Sequence, residues 1–308
     1  MFKFPEQMKR VFKDDEMQAH FEEYGYVTAS FYDQDDINEL EDLFYRFHKK
    51  DDLKGFFSST FSSNKEYRII ADQSIRRINS RSIDRLLKDV KVVCGSFIVK
   101  APDDNSGMSV HQDMTLIDES EFTGINIWCP LTDLTEDNGV LMVLEKSHRL
   151  YPTYRGSSIP GIYEEVCDDL IKLMKPVYLT AGEAIFFDQS IIHYSPPNHS
   201  DEPRIVTNTY FSHKDVRFVT AYLNPDQSDK IELFEQDERF MTDFEQFGQN
   251  IKDRPKVGKS LGFYDYDFPK ITKQDLLDNY GYQIVEDVPQ KAIKQSLVTS
   301  LLKRFKIR

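Results

Sequence analysis

The sequence predicts a mainly β fold, a sandwich or barrel of short strands, with helical additions at the N-terminal and C-terminal ends. Three observations lead there. Between residues 90 and 211 apolar residues come in strand-length blocks separated by turn residues. Before residue 90 they fall at helical spacing, and beyond Gln227 helical patterns return. A chain of 308 residues exceeds a typical domain, but β barrels with helical additions reach this size undivided. Residues 1–308 are therefore read as one domain: helical support over 1–89, a β core over 90–225 with an insert at 146–174, and a helical extension over 226–308.

Residues 16–24 and 35–48 carry apolar side chains at helical spacing, in the second case Ile37, Leu40, Leu43, Phe44 and Phe47. Tyr26-Val27-Thr28 between them suits an edge strand. The Ser- and Phe-rich stretch 55–64 reads as a loop. Residues 74–88 read as a helix that buries Ile75, Ile78, Ile83, Leu86 and Leu87 and leaves Arg76, Arg77, Arg81 and Arg85 on a solvated face. From Val90 the period shortens towards two. Residues 92–99 form a buried strand; 124–131 and 140–144 form two more, joined through Glu136-Asp137-Asn138-Gly139, whose Asn-Gly pair signals a hairpin. Strands at 174–179, 184–187 and 205–211 follow a helical insert at 163–173. Short strands at this spacing make a sandwich or barrel.

Composition narrows the function. With 39 Lys+Arg against 52 Asp+Glu the net charge is −13, which repels nucleic-acid phosphates and anionic lipid headgroups. Cys94, Cys129 and Cys167 are odd in number and lack CxxC spacing, so they read as reduced, mostly buried thiols. The first fifteen residues contain no apolar signal core, and no run approaches about 18 apolar residues. A soluble cytoplasmic protein acting on a small molecule is expected, with no nucleic-acid partner and no membrane.

The chemistry concentrates in His111-Gln112-Asp113, His193 and Arg204. On extended backbone, positions i and i+2 point to one side, so one strand end can present His111 and Asp113 to a single ion. His193 follows a turn glycine, Gly182, and the apolar strand after it, and supplies a second imidazole. Two imidazoles and one carboxylate on one face of a metal leave the other face open, the arrangement used by non-haem Fe(II) oxygenases. Taken alone, His-x-Asp is weak, and a lone histidine is more often structural. His20, His48, His148, His199 and His213 have no partner at ligand spacing and read as surface or packing residues, His148 retaining a minor claim to substrate contact. A strand from Pro203 to Tyr210 puts Arg204, Val206, Asn208 and Tyr210 on one face, and a guanidinium inside a barrel pairs bidentately with a carboxylate. A keto diacid such as 2-oxoglutarate satisfies both the metal and the arginine.

The stretch from Phe97 to Phe211 resembles the phytanoyl-CoA dioxygenase family of Fe(II)/2-oxoglutarate oxygenases. The motifs that carry the resemblance are Phe97-Ile98-Val99-Lys100-Ala101-Pro102, His111-Gln112-Asp113, Ile127-Trp128-Cys129-Pro130-Leu131-Thr132-Asp133, Asn138-Gly139 and the segment from Gly182 to Arg204. Glu22-Glu23-Tyr24-Gly25-Tyr26-Val27 is similar to the family's usual opening. The resemblance implies a double-stranded β-helix (jelly roll, cupin-like) core, iron ligands at His111, Asp113 and His193, the cosubstrate arginine at Arg204, and 2-oxoglutarate-lining positions at Gln112, Trp128 and Ser195. It implies Fe(II), 2-oxoglutarate and O2 as cofactors, with ascorbate as a candidate reductant, and hydroxylation with release of succinate and CO2. One motif departs: where the family commonly has Pro-Gly-Ser-His, this chain reads Glu145-Lys146-Ser147-His148 after Leu144. Upstream of Val90 only Ser59 or Thr60 offers a further cosubstrate contact, and such residues are by default turn formers.

For the substrate, Arg149, Tyr151, Tyr154 and Arg155 are expected to border the mouth. Those arginines either bind a substrate anion or pair with local acids. A small polar or carboxylated metabolite is expected over an acyl-CoA, because no basic cluster adjoins the motifs. Residues 289–308 form a basic amphipathic segment, expected to pack on the acidic body of the chain. The competing function is a non-catalytic or 2-oxoglutarate-independent cupin-like metal- or ligand-binding protein.

Overall fold

The structure is a computed structural model that describes residues 3–6, 8–224, 226, 229–241 and 252–281. In chain order its elements are α1 (Asp15–Tyr24), β1 (Tyr26–Ser30), α2 (Gln34–Phe47), β2 (Phe56–Ser58), α3 (Lys65–Leu86), β3 (Val90–Lys100), β4 (Met108–His111), β5 (Ile125–Pro130) and β6 (Leu141–Val143). There follow α4 (Cys167–Leu173), β7 (Lys175–Val177), β8 (Glu183–Asp188), β9 (His193–Ser195), β10 (Arg204–His213), β11 (Phe218–Leu223), β12 (Lys230–Gln236), β13 (Lys259–Asp265) and α5 (Lys273–Tyr280).

Two antiparallel sheets form the core. The larger has the order β1-β8-β5-β10-β3-β2 and the smaller β4-β9-β6-β7, and the apolar cluster between them joins Trp128, Ile185 and Val206 of the first to Leu141, Val143 and Val177 of the second. This is the expected jelly roll. Strand alternation sorts the large sheet into two faces. Phe97, Val99, Ile127, Cys129, Ile205 and Phe211 meet Phe12, Phe21, Leu40, Phe44 and Ile75 of the N-terminal region in a separate cluster. The alternate positions on β3, β5 and β10, namely Ser96, Ile98 and Lys100, Asn126 and Trp128, and Arg204, Asn208 and Tyr210, line the interior cavity. Burying each large apolar side chain contributes about 1.5–3 kcal/mol, so the helical layer holds the back of the sheet whose front carries the chemistry.

Local sequence explains the helical layer. Asp14 caps α1 by accepting from the Met17 amide, and Asp33 with Asp36 forms a reciprocal capping box on α2. Gly25 ends α1 at φ +86°, and a Cβ there would lie 2.5 Å from Nδ1 of His148. The glycine thus serves both the left-handed turn and a close packing contact.

Four expectations change. The loop at 55–64 contains edge strand β2, which pairs with β3 at Phe57↔Val99, and a 3-10 turn at Ser59–Phe61; three residues are too few to show a period. Helix α3 begins at Lys65 rather than residue 74, capped by Asn64. The Asn138-Gly139 turn does not close a hairpin: β5 and β6 lie in different sheets. Asn138 Oδ1 accepts from the Thr135 amide at 2.9 Å and its Nδ2 donates to the Asp133 carbonyl at 2.7 Å, so local turn chemistry is satisfied while the chain crosses between sheets. Beyond Gln227 the described residues form strands β12 and β13, which join β11 in a three-stranded sheet, a 3-10 turn at Glu238–Met241 and the helix α5, not a helical extension. On β12 Ile231 and Leu233 flank the buried Glu232, held bidentately by Arg254 at 2.7 and 2.8 Å, and the adjacent apolar pair Leu233-Phe234 breaks the period of two that would have marked a strand.

Among the described residues no helix is long and apolar enough to cross a membrane. Cys94 and Cys129 are buried free thiols, and Cys167 is half-buried. The basic segment 289–308 lies outside the described residues.

Candidate metal and cosubstrate site

Strands β4 and β9 bring the sequence-predicted ligands together. His111 and His193 are register partners, with ring centroids 4.0 Å apart. One ligand atom from each of His111, Asp113 and His193 lies within 4.8 Å of the others, so the three could hold one ion. Their orientation is fixed from behind. His111 Nδ1 lies 2.7 Å from the Ser109 carbonyl and His193 Nδ1 lies 3.0 Å from the Ile191 carbonyl. A carbonyl oxygen can only accept, so each Nδ1 carries the proton and each Nε2 keeps its lone pair. Asn126 Nδ2 donates to Asp113 Oδ2 at 2.7 Å, and Asn208 Nδ2 donates in turn to Asn126 Oδ1 at 3.1 Å. Burial, then the neighbouring His193, holds His111 well below the usual histidine range, which keeps its ring neutral and able to ligate.

The same cavity, about 280 Å³, contains two buried cations. Arg204 starts β10 opposite Lys100 at the end of β3. Arg204 Nη1 donates to the Gly139 carbonyl at 2.6 Å, its Nε has no partner, and its Cζ lies 5.0 Å from the Trp128 ring centroid. Lys100 Nζ donates to the carbonyls of Ser195, at 2.8 Å, and Pro196. Among the described residues neither forms an ion pair. Burial pushes Arg204 down to about 9 and, with the charge of Arg204 added, pushes Lys100 well below the usual lysine range. Buried cations without an anion are costly, and a carboxylate ligand would remove that cost.

Gly139 makes this corner possible. At φ +79° its Cβ would fall 2.8 Å from the Pro196 carbonyl and 2.9 Å from Lys100 Cδ, and its carbonyl also accepts from Ser195 Oγ at 2.8 Å. Trp128, Ser195 and Gln112 line the cavity. Gln112 Nε2 donates to the Ser190 carbonyl at 2.5 Å, and its Oε1 has no partner.

Other candidates fall away. His148 is buried against Gly25, its Nε2 3.2 Å from the Glu22 carbonyl, and is not among the cavity's lining residues. Ser59 Oγ accepts from the Phe97 amide at 2.9 Å and is structural, whereas Thr60 lines the cavity. Arg155 pairs with buried Glu119 at 2.6 Å, which decides its two options in favour of the local acid. Sequence reasoning missed Lys100 and Asn126 as site residues, and put Asn208 on the face of Arg204 without giving it a role. Lys100 had a visible signal, since a lysine on the same strand parity as Ser96 and Ile98 points into the barrel.

Comparisons with known proteins place the chain by sequence and by fold. A Dictyostelium discoideum protein described as "Phytanoyl-CoA dioxygenase domain-containing protein 1 homolog" is 31% identical over 114 residues, a match covering 34% of this chain and 40% of that protein. Among solved structures, EctD from S. alaskensis with 2-oxoglutarate and 5-hydroxyectoine has a TM-score of 0.50 at 17% identity, covering 71% of this chain and 85% of its own. EvdO2 from Micromonospora carbonacea var. aurantiaca complexed with 2-oxoglutarate gives 0.47 at 19% identity, covering 67% and 94%. At 17% identity the likeness to EctD speaks to the fold alone. The sequence profile described as "Phytanoyl-CoA dioxygenase (PhyH)" matches residues 9–206, well over half of the chain; the protein belongs to the phytanoyl-CoA dioxygenase family.

Proposed function

We propose that the protein is an Fe(II)/2-oxoglutarate-dependent dioxygenase that hydroxylates an unactivated carbon of a small-molecule substrate and releases succinate and CO2. The observation that carries this reading is the meeting, in one cavity, of a three-ligand metal cluster with two buried cations that lack an anion. A metal-binding or cupin-like protein that uses no keto acid has no need of Arg204 and Lys100 there.

The donor set fits iron: neutral imidazole nitrogen and one carboxylate oxygen suit a divalent transition metal and leave positions open. His111, Asp113 and His193 would hold it. When bound, the iron supplies dioxygen activation coupled to decarboxylation of the keto acid. The chain's own residues do the rest. Arg204 and Lys100 neutralise the distal carboxylate, Trp128 and Arg204 wall it from water, and Ser195 and Gly139 fix the arginine's approach. Asn126 and Asn208 keep Asp113 turned towards the imidazoles. Retention of that carboxylate favours hydroxylation over halogenation, in which chloride takes the carboxylate's place.

Anaerobic addition of Fe(II) and then 2-oxoglutarate tests the proposal. A weak visible charge-transfer band is expected from the wild type and not from an Arg204→Met variant at the same 2-oxoglutarate concentration. Absence of the band in metal-loaded wild type sinks this reading.

A further inference from the structure

A side pocket opens off the metal cavity. Thr60, Phe61, Met114 and Leu116 line both spaces, so the two are contiguous next to ligand Asp113. Beyond that threshold the pocket runs to Tyr222 and Phe240. Tyr222 shares the face of β11 that also carries Phe218 and Thr220. The space is about 70 Å³, roughly five water-sized sites at 10–15 Å³ each, which suits an apolar segment of a few carbons.

Its charge decides what can enter. Among the described lining residues the only cation is Arg155, whose donors are engaged. Nη2 meets Glu119 Oε1 at 2.6 Å, Nε meets the Asp113 carbonyl at 2.6 Å, and Nη1 meets the Thr153 carbonyl at 2.8 Å. Asp253, also on the wall, carries the wrong sign for an anion. A carboxylate or phosphate entering here would lose hydration with no free positive charge to meet it, whereas apolar carbon gains about 25 cal/mol per Å² removed from water.

We infer that this pocket is the subsite for an uncharged, apolar segment of the primary substrate, which it holds across Met114 so that a neighbouring C–H bond faces the metal ligands. The inference rests on the oxygenase reading and names its substrate class. It replaces, for the part of the substrate lodged here, the carboxylated metabolite expected from the sequence. It also assigns Leu116 and Tyr222 as specificity-determining residues.

The test uses the full chain loaded with Mn(II) and saturating 2-oxoglutarate, titrated calorimetrically with 1-octanol and with octanoate. The alcohol is expected to bind at least tenfold more tightly, with a negative heat-capacity change. Tyr222→Ala should weaken 1-octanol at least fivefold, and Tyr222→Phe should stay within twofold of wild type. Trp128, the single tryptophan, reports 2-oxoglutarate independently through its fluorescence. Octanoate binding as tightly as 1-octanol overturns the inference, as does Tyr222→Ala binding 1-octanol like wild type with its 2-oxoglutarate response intact. Should that variant misfold, the alcohol–carboxylate contrast in wild type decides alone. A Trp128 signal indifferent to 2-oxoglutarate, beside 1-octanol binding that is lost in Tyr222→Ala, would support the subsite and count against the oxygenase reading.

Discussion

Arg204 and Lys100 face each other as cross-strand partners of β10 and β3, both buried and neither in an ion pair among the described residues. Two like charges in such a place raise the energy of the empty protein. The fold holds them because Gly139, Ser195 and Pro196 supply carbonyls, and an anionic ligand would complete the arrangement.

Arg204→Met should therefore act in opposite directions on binding and stability. The 2-oxoglutarate concentration for half-maximal change in Trp128 fluorescence should rise on the order of 10²-fold. Without ligand, the melting temperature should rise by a few degrees, because an uncompensated charge has gone. Wild-type affinity for 2-oxoglutarate in this variant would remove Arg204 from the site.

Asp113→Ala and His193→Ala should each abolish substrate-dependent succinate formation and reduce the metal retained after dialysis. A variant with full turnover would take that residue out of the mechanism.

Asn126→Ala removes the donor 2.7 Å from Asp113 Oδ2 without touching the metal ligands themselves. Loss of such a support typically costs 10–100-fold in metal affinity. Mn(II) titration should show a loss in that range, with the melting temperature changing much less than metal affinity.

Burial, then the charge of Arg149, pushes His148 down to about 4, below the ordinary histidine value near 6.5. The unfolded chain takes up a proton before the folded one does, so stability falls as pH drops through 6.5 towards 4. The loss should reach about 2 kcal/mol by pH 5. Denaturant melts at pH 7 and pH 5 should show this slope, and His148→Gln should flatten it.

Much of the site was legible in the sequence because its residues obey strand parity. His111 and Asp113 stand two apart at a strand end, and Arg204, Asn208 and Tyr210 share one face of β10. Trp128 likewise alternates with the outward Ile127 and Cys129. What the sequence could not show depends on contacts between distant segments. Asn138-Gly139 has the chemistry of a hairpin turn, yet which strand β6 joins is decided by β7 and β9. β2 exists because β3 offers an edge, and β12 buries an acid, Glu232, that pairs with Arg254 and accepts from Ser260 Oγ. The departure at Glu145-Lys146-Ser147 is now explained in part. Lys146 sits at φ +67°, a left-handed conformation that glycine adopts without strain, and its Nζ is held by Glu23 at 2.9 Å and lies 4.8 Å from the Tyr24 ring centroid.

The register that joins Arg204 to Lys100 and Tyr26 to Phe187 also sets how the protein is assembled. These partners lie about a hundred residues or more apart, so loop closure precedes any reward from pairing, and refolding should be slow. His111 and His193 come from strands that are likewise distant in sequence, so their meeting needs a long closure of its own. A metal that needs both imidazoles and Asp113 is expected to bind the assembled site and to slow its loss. Mn(II) should leave the refolding rate unchanged and lower the unfolding rate.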